Sequence, residues 1–354
     1  MVDSSEFRVG IIGFGRIGAA HVEAWDSLDG ARMVAACDWS EEARAAASKR
    51  GLDVYRDAAE MLKSANLDAV SICAPPKQHQ PLAETCFEAG VPVLCEKPLA
   101  ADGTAASELV ESAQRHHARF QLATKFRHVP ELQMAKRLMA DGAIGSPLTY
   151  RIEFSGPVDM SQRWNSNRAM SGGGVLIDNG SHALDLSRFL FSRIDSVMAV
   201  NLKPMQQLDV EDSSLILAST ECGVTGKIML SWSMKPDSQD YMVVQGTKWH
   251  IAVGWKEAWL RVDGKAPEKS GNGYDKNDAH RRMMAMFRDF AKGEGAGWIS
   301  EEEALSSALV TDAAYESIRS GRWVEVKAPR LVGLKRPVEV ELIERPRRVA
   351  GGGR

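Results

Sequence analysis

The chain begins with a short apolar stretch that runs directly into three closely spaced glycines. Residues 8–13 have the pattern of a buried β-strand, and an amphipathic helix is predicted over 16–26. Between them, Gly13, Gly15 and Gly18 have the spacing GxGxxG. This spacing permits a tight turn, close approach of the backbone to a pyrophosphate, and close packing of helix on strand. A dinucleotide is therefore predicted to bind at Gly13, Phe14, Gly15, Arg16, Ile17 and Gly18.

An acidic residue follows the second predicted strand, 32–37. This residue is Asp38, twenty residues beyond Gly18. A carboxylate at this place accepts hydrogen bonds from the ribose of NAD and repels the additional phosphate of NADP. The sequence therefore favours NAD as the cofactor and makes NADP the less favoured alternative.

Strand and helix alternate up to about residue 124, which is typical of a doubly wound parallel sheet. Beyond residue 126 the pattern changes to helices and alternating strands, which predicts an α+β domain with a large, open, mixed or antiparallel sheet. This part is predicted to contain a polar loop over 156–173, a helix over 181–191, and four or five strands between 194 and 262. We predict three segments: an α/β Rossmann domain over 1–125, a domain for substrate binding and oligomerisation over 126–330, and a C-terminal extension over 331–354 with a mobile end.

Two further segments carry ionisable side chains suited to catalysis. A predicted strand over 92–96 ends in Glu96-Lys97-Pro98, and the carboxyl ends of strands in such a sheet face the ligand crevice. Farther along, Asp178 and His182 follow a triple glycine and lie four residues apart, which places both on one face of a helix. Histidine titrates near neutral pH, so His182 is suited to accept and return a proton.

In combination these features resemble the Gfo/Idh/MocA family of dinucleotide-dependent oxidoreductases over nearly the whole chain. The family's motifs occur in order: the glycine turn, Ala74-Pro75-Pro76 with His79, Glu96-Lys97-Pro98, Lys125-Phe126-Arg127 with Pro130, Gly142-x-Ile144-Gly145, the run from Gly172 to Asp185, and Gln245-Gly246-Thr247. The resemblance implies hydride transfer between a nicotinamide cofactor and a secondary alcohol of a sugar, cyclitol or related polyol.

Further cofactor contacts are expected where two of these motifs end strands. Ala74 and Pro75 form a rigid turn after a buried strand, and Glu96 and Lys97 end another. The resemblance implies that His79 also lines the cofactor crevice, whereas its place near a helix start equally favours an N-cap.

Oxidation of an alcohol requires a base within hydrogen-bond reach of the hydroxyl and a cation beside the developing oxyanion. We assign the base to His182 and the cation to Lys97, and expect Asp178 to bind a substrate hydroxyl and orient the other two. The roles of Lys97 and His182 are exchangeable at this point, because a desolvated lysine beside another cation can act as a base. Asp185 is expected to fix the imidazole or the helix.

Substrate contacts are expected from the start of the second domain and from the polar loop. These are Lys125 with Arg127, and Arg163, Trp164 and Arg168; a surface arginine or a packing tryptophan is the alternative for the loop residues. A core or subunit-interface position is favoured for three neighbouring tryptophans: Trp249, Trp255 and Trp259.

Composition narrows the class of protein. The formal net charge is −3 with interspersed charges, so neither nucleic acid nor a membrane surface is expected as a partner. The polar start is not that of a signal peptide, and no apolar run approaches the ~20 residues that cross a bilayer. Five single cysteines without a metal-ligand pattern predict reduced thiols, a cytoplasmic location and no metal site.

The open sheet leaves one apolar face to be covered, which predicts a homodimer or homotetramer formed through the C-terminal sheet. Two other functions remain as alternatives. One is a redox-neutral epimerase or lyase that uses tightly bound NAD. The other is a non-catalytic, ligand-sensing protein on the same fold, which the presence of Lys97, Asp178 and His182 disfavours.

Overall fold

The computed structural model describes residues 6–262 and 268–327. The predicted C-terminal extension 331–354 and the polar N-terminal residues 1–5 lie outside the described residues.

The first half of the chain forms a six-stranded parallel sheet. Its order is β3-β2-β1-β4-β5-β6, so the winding direction reverses between β1 and β4. The strands are β1 Phe7–Ile12, β2 Ala31–Cys37, β3 Asp53–Tyr55, β4 Ala69–Ile72, β5 Val93–Glu96 and β6 Phe120–Ala123. The helices are α1 Arg16–Asp26, α2 Glu41–Ser48, α3 Ala58–Ser64, α4 His79–Glu88 and α5 Gly103–Arg115. A reversal of this kind opens a crevice at the carboxyl ends of the strands, and the predicted doubly wound sheet is confirmed.

The second half forms a nine-stranded mixed sheet, as predicted. Its order is β14-β13-β12-β11-β7-β10-β9-β8-β15, and only β7 and β10 run parallel. The strands are β7 Pro147–Ser155, β8 Ile194–Asn201, β9 Ser213–Thr220, β10 Thr225–Ser231, β11 Asp240–Gly246, β12 Trp249–Gly254, β13 Ala258–Val262, β14 Glu268–Gly271 and β15 Val324–Glu325. The helices are α6 Pro130–Ala140, α7 Arg168–Ser171, α8 Val175–Leu190, α9 Lys276–Lys292 and α10 Glu301–Ser320.

Two details of this half differ from the prediction. Six strands, β8 to β13, lie between residues 194 and 262 instead of four or five, because only three residues separate β12 from β13 and the two are hard to distinguish by pattern. The helix predicted over 181–191 begins six residues earlier, at Val175, and the predicted polar loop contains α7 and a short 3₁₀ helix, Trp164–Ser166.

Helices α9 and α10 connect the two halves. Met283 and Phe287 of α9 join the apolar core around Trp25 of α1, and Leu305 of α10 joins the core around Leu109 of α5. The division of the chain at residue 125 remains a prediction, and no local pattern indicates that helices of the predicted second domain complete the core of the first sheet. This packing fixes the first sheet against the second across the crevice.

Candidate active site

A cleft of about 790 Å³ opens at the carboxyl edge of the first sheet and extends to α8 and the second sheet. Twelve of the predicted site residues line it: Gly15, Arg16, Ile17, Ala74, Pro75, Glu96, Lys97, Lys125, Arg163, Trp164, Asp178 and His182. Five others do not: Gly13, Phe14, Gly18, Asp38 and His79.

The glycine turn has the shape that a diphosphate requires. Gly13 has a φ of +92°, and a Cβ there would lie 2.7 Å from the backbone of Cys73. A Cβ on Gly18 would overlap the carbonyl oxygen of Gly13, so this glycine permits α1 to pack on β1. A Cβ on Gly15 would meet no described heavy atom within 4 Å, so this second glycine of the motif leaves open space at the start of α1. Free N–H groups and the helix dipole favour an anion at that point, and the turn therefore fits NAD.

Asp38 lies at the end of β2 beside this turn. Its Oδ2 accepts a hydrogen bond from the backbone N–H of Phe14 (2.8 Å), and its Oδ1 accepts one from the N–H of Ser40 (2.8 Å). Each carboxylate oxygen keeps a second lone pair for a ribose hydroxyl. Phe14 itself contributes only its backbone, because its ring is buried in the core.

Both predicted roles of His79, lining the cleft and capping the start of a helix, are wrong. The side chain is 1% exposed and does not reach the cleft, and the N-cap of α4 is Gln78. Its ring nitrogens lie 2.8 Å from the carbonyl oxygen of Ala74 and 2.9 Å from that of Pro98. The ring thus connects two segments that line the cleft while remaining behind them.

Lys97 and Asp178 meet across the cleft from the two halves of the chain. Lys97 Nζ lies 2.5 Å from Asp178 Oδ1 and 3.1 Å from the backbone oxygen of Asp178. The other carboxylate oxygen accepts a hydrogen bond from Asn165 Nδ2 at 2.9 Å. Burial alone would raise the pKa of Asp178, but the Lys97 charge and these hydrogen bonds lower it below its usual value. Asp178 is therefore a carboxylate that holds the Lys97 ammonium in place.

His182 lies one helical turn after Asp178 and faces the same cleft. Its ring packs edge-on against Phe126, with 5.1 Å between centroids, and it makes no hydrogen bond with another described residue. Burial, followed by the charges of Lys97 and Lys125, lowers the pKa of His182 well below 6.5. The imidazole is therefore neutral near pH 7 and has a nitrogen free to accept a proton from a bound molecule.

Behind Lys97 lies a buried group that the sequence did not indicate. Glu96 Oε1 lies 3.0 Å from His21 Nε2, its Oε2 accepts the N–H of Lys97 at 3.1 Å, and the His21 ring lies 5.7 Å from that of His280. Burial opposes ionisation of Glu96, but His21 and Lys97 lower its pKa to about 2. His21, Glu96 and His280 come from α1, β5 and α9, so only the fold brings them together. The absence of a metal stays a prediction.

The first turn of α8, which carries Asp178, is held by a carboxylate from outside the helix. Glu211 Oε1 accepts hydrogen bonds from the N–H groups of Gly174 (2.9 Å) and Leu176 (3.2 Å) and from the Tyr315 hydroxyl (2.8 Å). A Cβ on Gly173 would overlap that hydroxyl, and one on Gly174 would overlap the Glu211 backbone. The triple glycine therefore permits the close contact that begins α8 earlier than the pattern predicted.

Asp185 does not fix the imidazole of His182. It forms a buried ion pair with Arg127 (2.7 Å), and Arg127 also reaches Glu303 of α10 (3.1 Å). Arg127 was expected to contact substrate, but its side chain is 4% exposed and connects α8 to α10. The alternative that Asp185 anchors the helix agrees with this geometry.

The second-sheet side of the cleft is largely aromatic, which the sequence did not predict. The rings of Phe126 and Tyr274 stack with centroids 5.0 Å apart, and Trp255 meets Tyr274 edge-on at 5.5 Å. Trp255 packs against the core of the second half, which agrees with the predicted core position, and it also lines the cleft with Phe154 and Trp232. No local pattern marks these residues, because they come from separate elements. Asn179 and Lys276 also line the cleft.

The polar loop supplies part of the rim. Arg163 and Trp164 line the cleft, and Trp164 is 46% exposed. Arg168 instead approaches Asp209 and Glu211 at the other side of the loop. Within the described residues, no helix is long and apolar enough to cross a membrane. Cys37, Cys73, Cys86 and Cys95 are buried free thiols, and Cys222 is exposed.

Two family models match the chain. One, described as an oxidoreductase family with an NAD-binding Rossmann fold, matches residues 7–124, and the other, a GFO/IDH/MocA C-terminal domain, matches residues 132–252. Together they cover most of both sheets.

Individual relatives agree with these models. The chain is 30% identical to a D-apiose dehydrogenase of Paraburkholderia graminis over 91% of its length and 90% of the relative's. It is 31% identical to an inositol 2-dehydrogenase of Rubrobacter xylanophilus over 96% of its length and 99% of the relative's. Among solved structures, a levoglucosan dehydrogenase in complex with NADH has a TM-score of 0.83 at 22% identity, over 92% of this chain and 100% of that one. This last similarity shows a shared fold.

Proposed function

The chain belongs to the GFO/IDH/MocA family of NAD-binding oxidoreductases, and we propose that it oxidises a secondary hydroxyl of a sugar, cyclitol or related polyol with NAD. The contact between Lys97 and Asp178 carries this proposal, because it places a charged ammonium, held by a carboxylate, beside a neutral imidazole at the ligand edge of the first sheet. The relatives named apiose and inositol dehydrogenases support the substrate class.

NAD, when bound, supplies the hydride acceptor. The glycine turn at Gly13, Gly15 and Gly18 and the wall formed by Ala74 and Pro75 hold the cofactor in this proposal. Asp38 binds the ribose hydroxyls and, by its charge, selects NAD over NADP.

The proton of the substrate hydroxyl passes to His182 Nε2 or Nδ1 as the carbonyl forms. Lys97 donates a hydrogen bond to the same substrate oxygen and stabilises the negative charge that develops on it. In reduction the same groups act in reverse, with His182 returning the proton. Lys97 donates its hydrogen bond to the Asp178 carboxylate, whereas the imidazole of His182 is neutral, so this geometry supports His182 as the base and Lys97 as the cation.

The remaining assignments concern positioning and substrate contact. Both oxygens of Asp178 already accept hydrogen bonds, one from Lys97 and one from Asn165. The main role of Asp178 is therefore to orient Lys97. A substrate hydroxyl can donate to one of the lone pairs that remain on its oxygens. Lys125, Arg163 and Trp164 contact the substrate from the second half of the chain. Trp255 adds an apolar surface suited to the C–H face of a sugar ring.

We also propose that two copies of the chain pair through the face of the second sheet that is turned away from α8. Leu217 of β9 and Val200 of β8 are 38% and 40% exposed there. Light scattering gives the mass in solution, and Leu217→Asp lowers it if this face is the interface. The buried thiols agree with a reducing, cytoplasmic location.

The proposed activity is tested by following NADH absorbance with added NAD and a panel of sugars, polyols and cyclitols. Wild type reduces NAD with at least one panel member, and His182→Asn lowers kcat by at least about 10²-fold. Tight NADH binding without NAD reduction by any member rejects the dehydrogenase assignment. Conversion of a sugar without added NAD rejects it in favour of redox-neutral catalysis.

A further inference from the structure

Lys125 is a partly buried cation of the cleft lining that has no anionic partner among the described residues. Its Nζ lies over the rings of Phe126 and Tyr274, 5.7 and 5.9 Å from their centroids. Among the described residues it forms neither an ion pair nor a hydrogen bond. Burial lowers its pKa most, and the charges of Lys97 and Lys276 add to this against the opposing charges of Glu96 and Asp178, so that the pKa of Lys125 is about 8. A cation enclosed in this way destabilises the fold unless an opposite charge is present.

The other charged side chains of the cleft also give an excess of positive charge. The cleft is lined by more basic than acidic side chains: Arg16, Lys97, Lys125, Arg163 and Lys276 against Glu96 and Asp178. The two carboxylates are already engaged, Glu96 with His21 and Asp178 with Lys97. The chain as a whole carries a formal net charge of −3. The excess of positive charge is therefore a local property of the cleft.

NAD would offset only part of this excess. Its diphosphate carries two negative charges and in the proposed function lies at the glycine turn, beside Arg16, while the oxidised nicotinamide ring brings a positive charge of its own. Lys125, Arg163 and Lys276 lie on the substrate side of the cleft in that proposal. Among the described residues, no carboxylate pairs with any of these three cations.

We infer that the substrate is an acidic sugar derivative, whose carboxylate or phosphate binds Lys125 with support from Lys276 and Arg163. The inference rests on the proposed function and narrows its substrate class. The three cations supply the opposite charge that a desolvated anion requires, while the neighbouring aromatic wall of Phe126, Tyr274 and Trp255 takes the apolar face of the ring. Neutral sugars leave the Lys125 charge unpaired and bind less well.

Calorimetry on the NADH-loaded protein tests this without requiring turnover. The probes are three neutral compounds and their anionic counterparts: D-glucose with D-glucuronate and D-glucose 6-phosphate, D-galactose with D-galacturonate, and D-xylose with D-xylonate. At least one anion binds about 10- to 100-fold more tightly than its neutral counterpart. Preference for the glucuronate or for the phosphate identifies which anionic group the site takes.

Three variants assign the preference to Lys125. Lys125→Met abolishes it, and Lys125→Arg, which keeps the charge, retains it. Lys136→Met leaves it unchanged; Lys136 is the matched control, an exposed lysine 4.2 Å from the centroid of Phe189 and outside the cleft lining. If Lys125→Met failed to fold, the anion preference of Lys125→Arg would still test the role of the positive charge.

Equal or weaker binding of every anion relative to its neutral counterpart overturns the inference, as does an anion preference that survives in Lys125→Met. Reduction of NAD by neutral sugars alone overturns it too, while leaving the proposed dehydrogenase activity in place. Failure of the protein to bind NADH, by contrast, rejects the proposed function itself.

Discussion

Lys97 Nζ and Asp178 Oδ1 lie 2.5 Å apart, although the two residues are 81 positions apart in the chain and belong to the two different halves of the fold. Lys97 directly follows β5 of the first sheet, and Asp178 lies in the first turn of α8, which packs on the second. The contact therefore holds the Lys97 ammonium at the boundary between the two halves. Its geometry depends on Glu96, which binds the Lys97 backbone, and on Glu211, which holds the start of α8.

Replacing the ammonium should stop chemistry while leaving the cofactor site intact. Lys97→Met is expected to lower kcat by about 10³-fold, because the developing oxyanion loses its cation. The Kd of NADH should change by less than about threefold. Lys269→Met is the control, since Lys269 forms an exposed ion pair with Glu257. A variant that keeps most of its activity would remove Lys97 from the mechanism.

Two glycines of the same turn should respond in opposite ways to alanine. Gly15→Ala meets open space, so unfolding free energy should change by less than about 1 kcal/mol, but its methyl group should raise the Kd of NADH at least about tenfold. Gly18→Ala overlaps the Gly13 carbonyl and should destabilise the fold by about 1–3 kcal/mol. Thermal melting and NADH titration separate the two effects. Unchanged NADH affinity in Gly15→Ala would place the diphosphate elsewhere.

Cofactor preference should depend on Asp38. Asp38→Ala is expected to weaken the binding of NADH and to strengthen the binding of NADPH relative to it, because the ribose acceptor and the repulsive charge are both lost. Asp38 also accepts the Phe14 N–H, so a control must share that structural role. Asp26 does so: its Oδ1 accepts the N–H of Met33 near the other end of β2 at 3.1 Å. If Asp26→Ala changed the NADH/NADPH ratio as much as Asp38→Ala, the ribose assignment would fail.

The pH profile should reveal an unusually acidic base. Burial and the charges of Lys97, Lys125 and His280 lower the pKa of His182 well below 6.5. Since the base must be deprotonated to accept the hydroxyl proton, kcat/KM for oxidation should not fall between about pH 8 and about pH 6.5, and should fall only below that. Lys125→Met removes one of these charges, so the acidic limb should move to higher pH. An acidic limb near pH 7 in wild type, unmoved in Lys125→Met, would contradict this assignment.

An enclosed and unpaired lysine should also cost stability. Lys125→Met is expected to raise the free energy of unfolding near pH 7 by about 2 kcal/mol, because the desolvated charge that lowers the pKa to about 8 is gone. Thermal melts of the cofactor-free protein measure this, with Lys136→Met as the control. A lower melting temperature for Lys125→Met would show that Lys125 serves the fold more than the substrate.

The local features were predictable from the sequence because each depends on neighbouring residues. The turn from Gly13 to Gly18 is specified by its own glycines, and Asp38 is one strand away. Asp178 and His182 share a helical face by spacing alone. The parallel and mixed sheets followed from the change in periodicity near residue 126.

The contacts that local sequence patterns do not predict all join segments that are distant in the chain. Asp185 is expected to fix either the imidazole of His182 or the helix, but its partner Arg127 is indicated by no local pattern. Trp255 packs against the core as its apolar surroundings predict, but only its place in the turn between β12 and β13 also brings it to the cleft. The predicted start of α8 is too late, since N–H groups at its true start are bound by Glu211, thirty-six residues beyond Val175 in the chain.

The most direct test of the account is calorimetric titration of the cofactor-free protein with NADH and with NADPH. The account predicts saturable binding of one NADH per chain, at least about tenfold tighter than NADPH. Binding of NADPH with equal or greater affinity would contradict the role of Asp38. Binding of neither nucleotide would contradict the central claim that this cleft performs NAD-dependent oxidation.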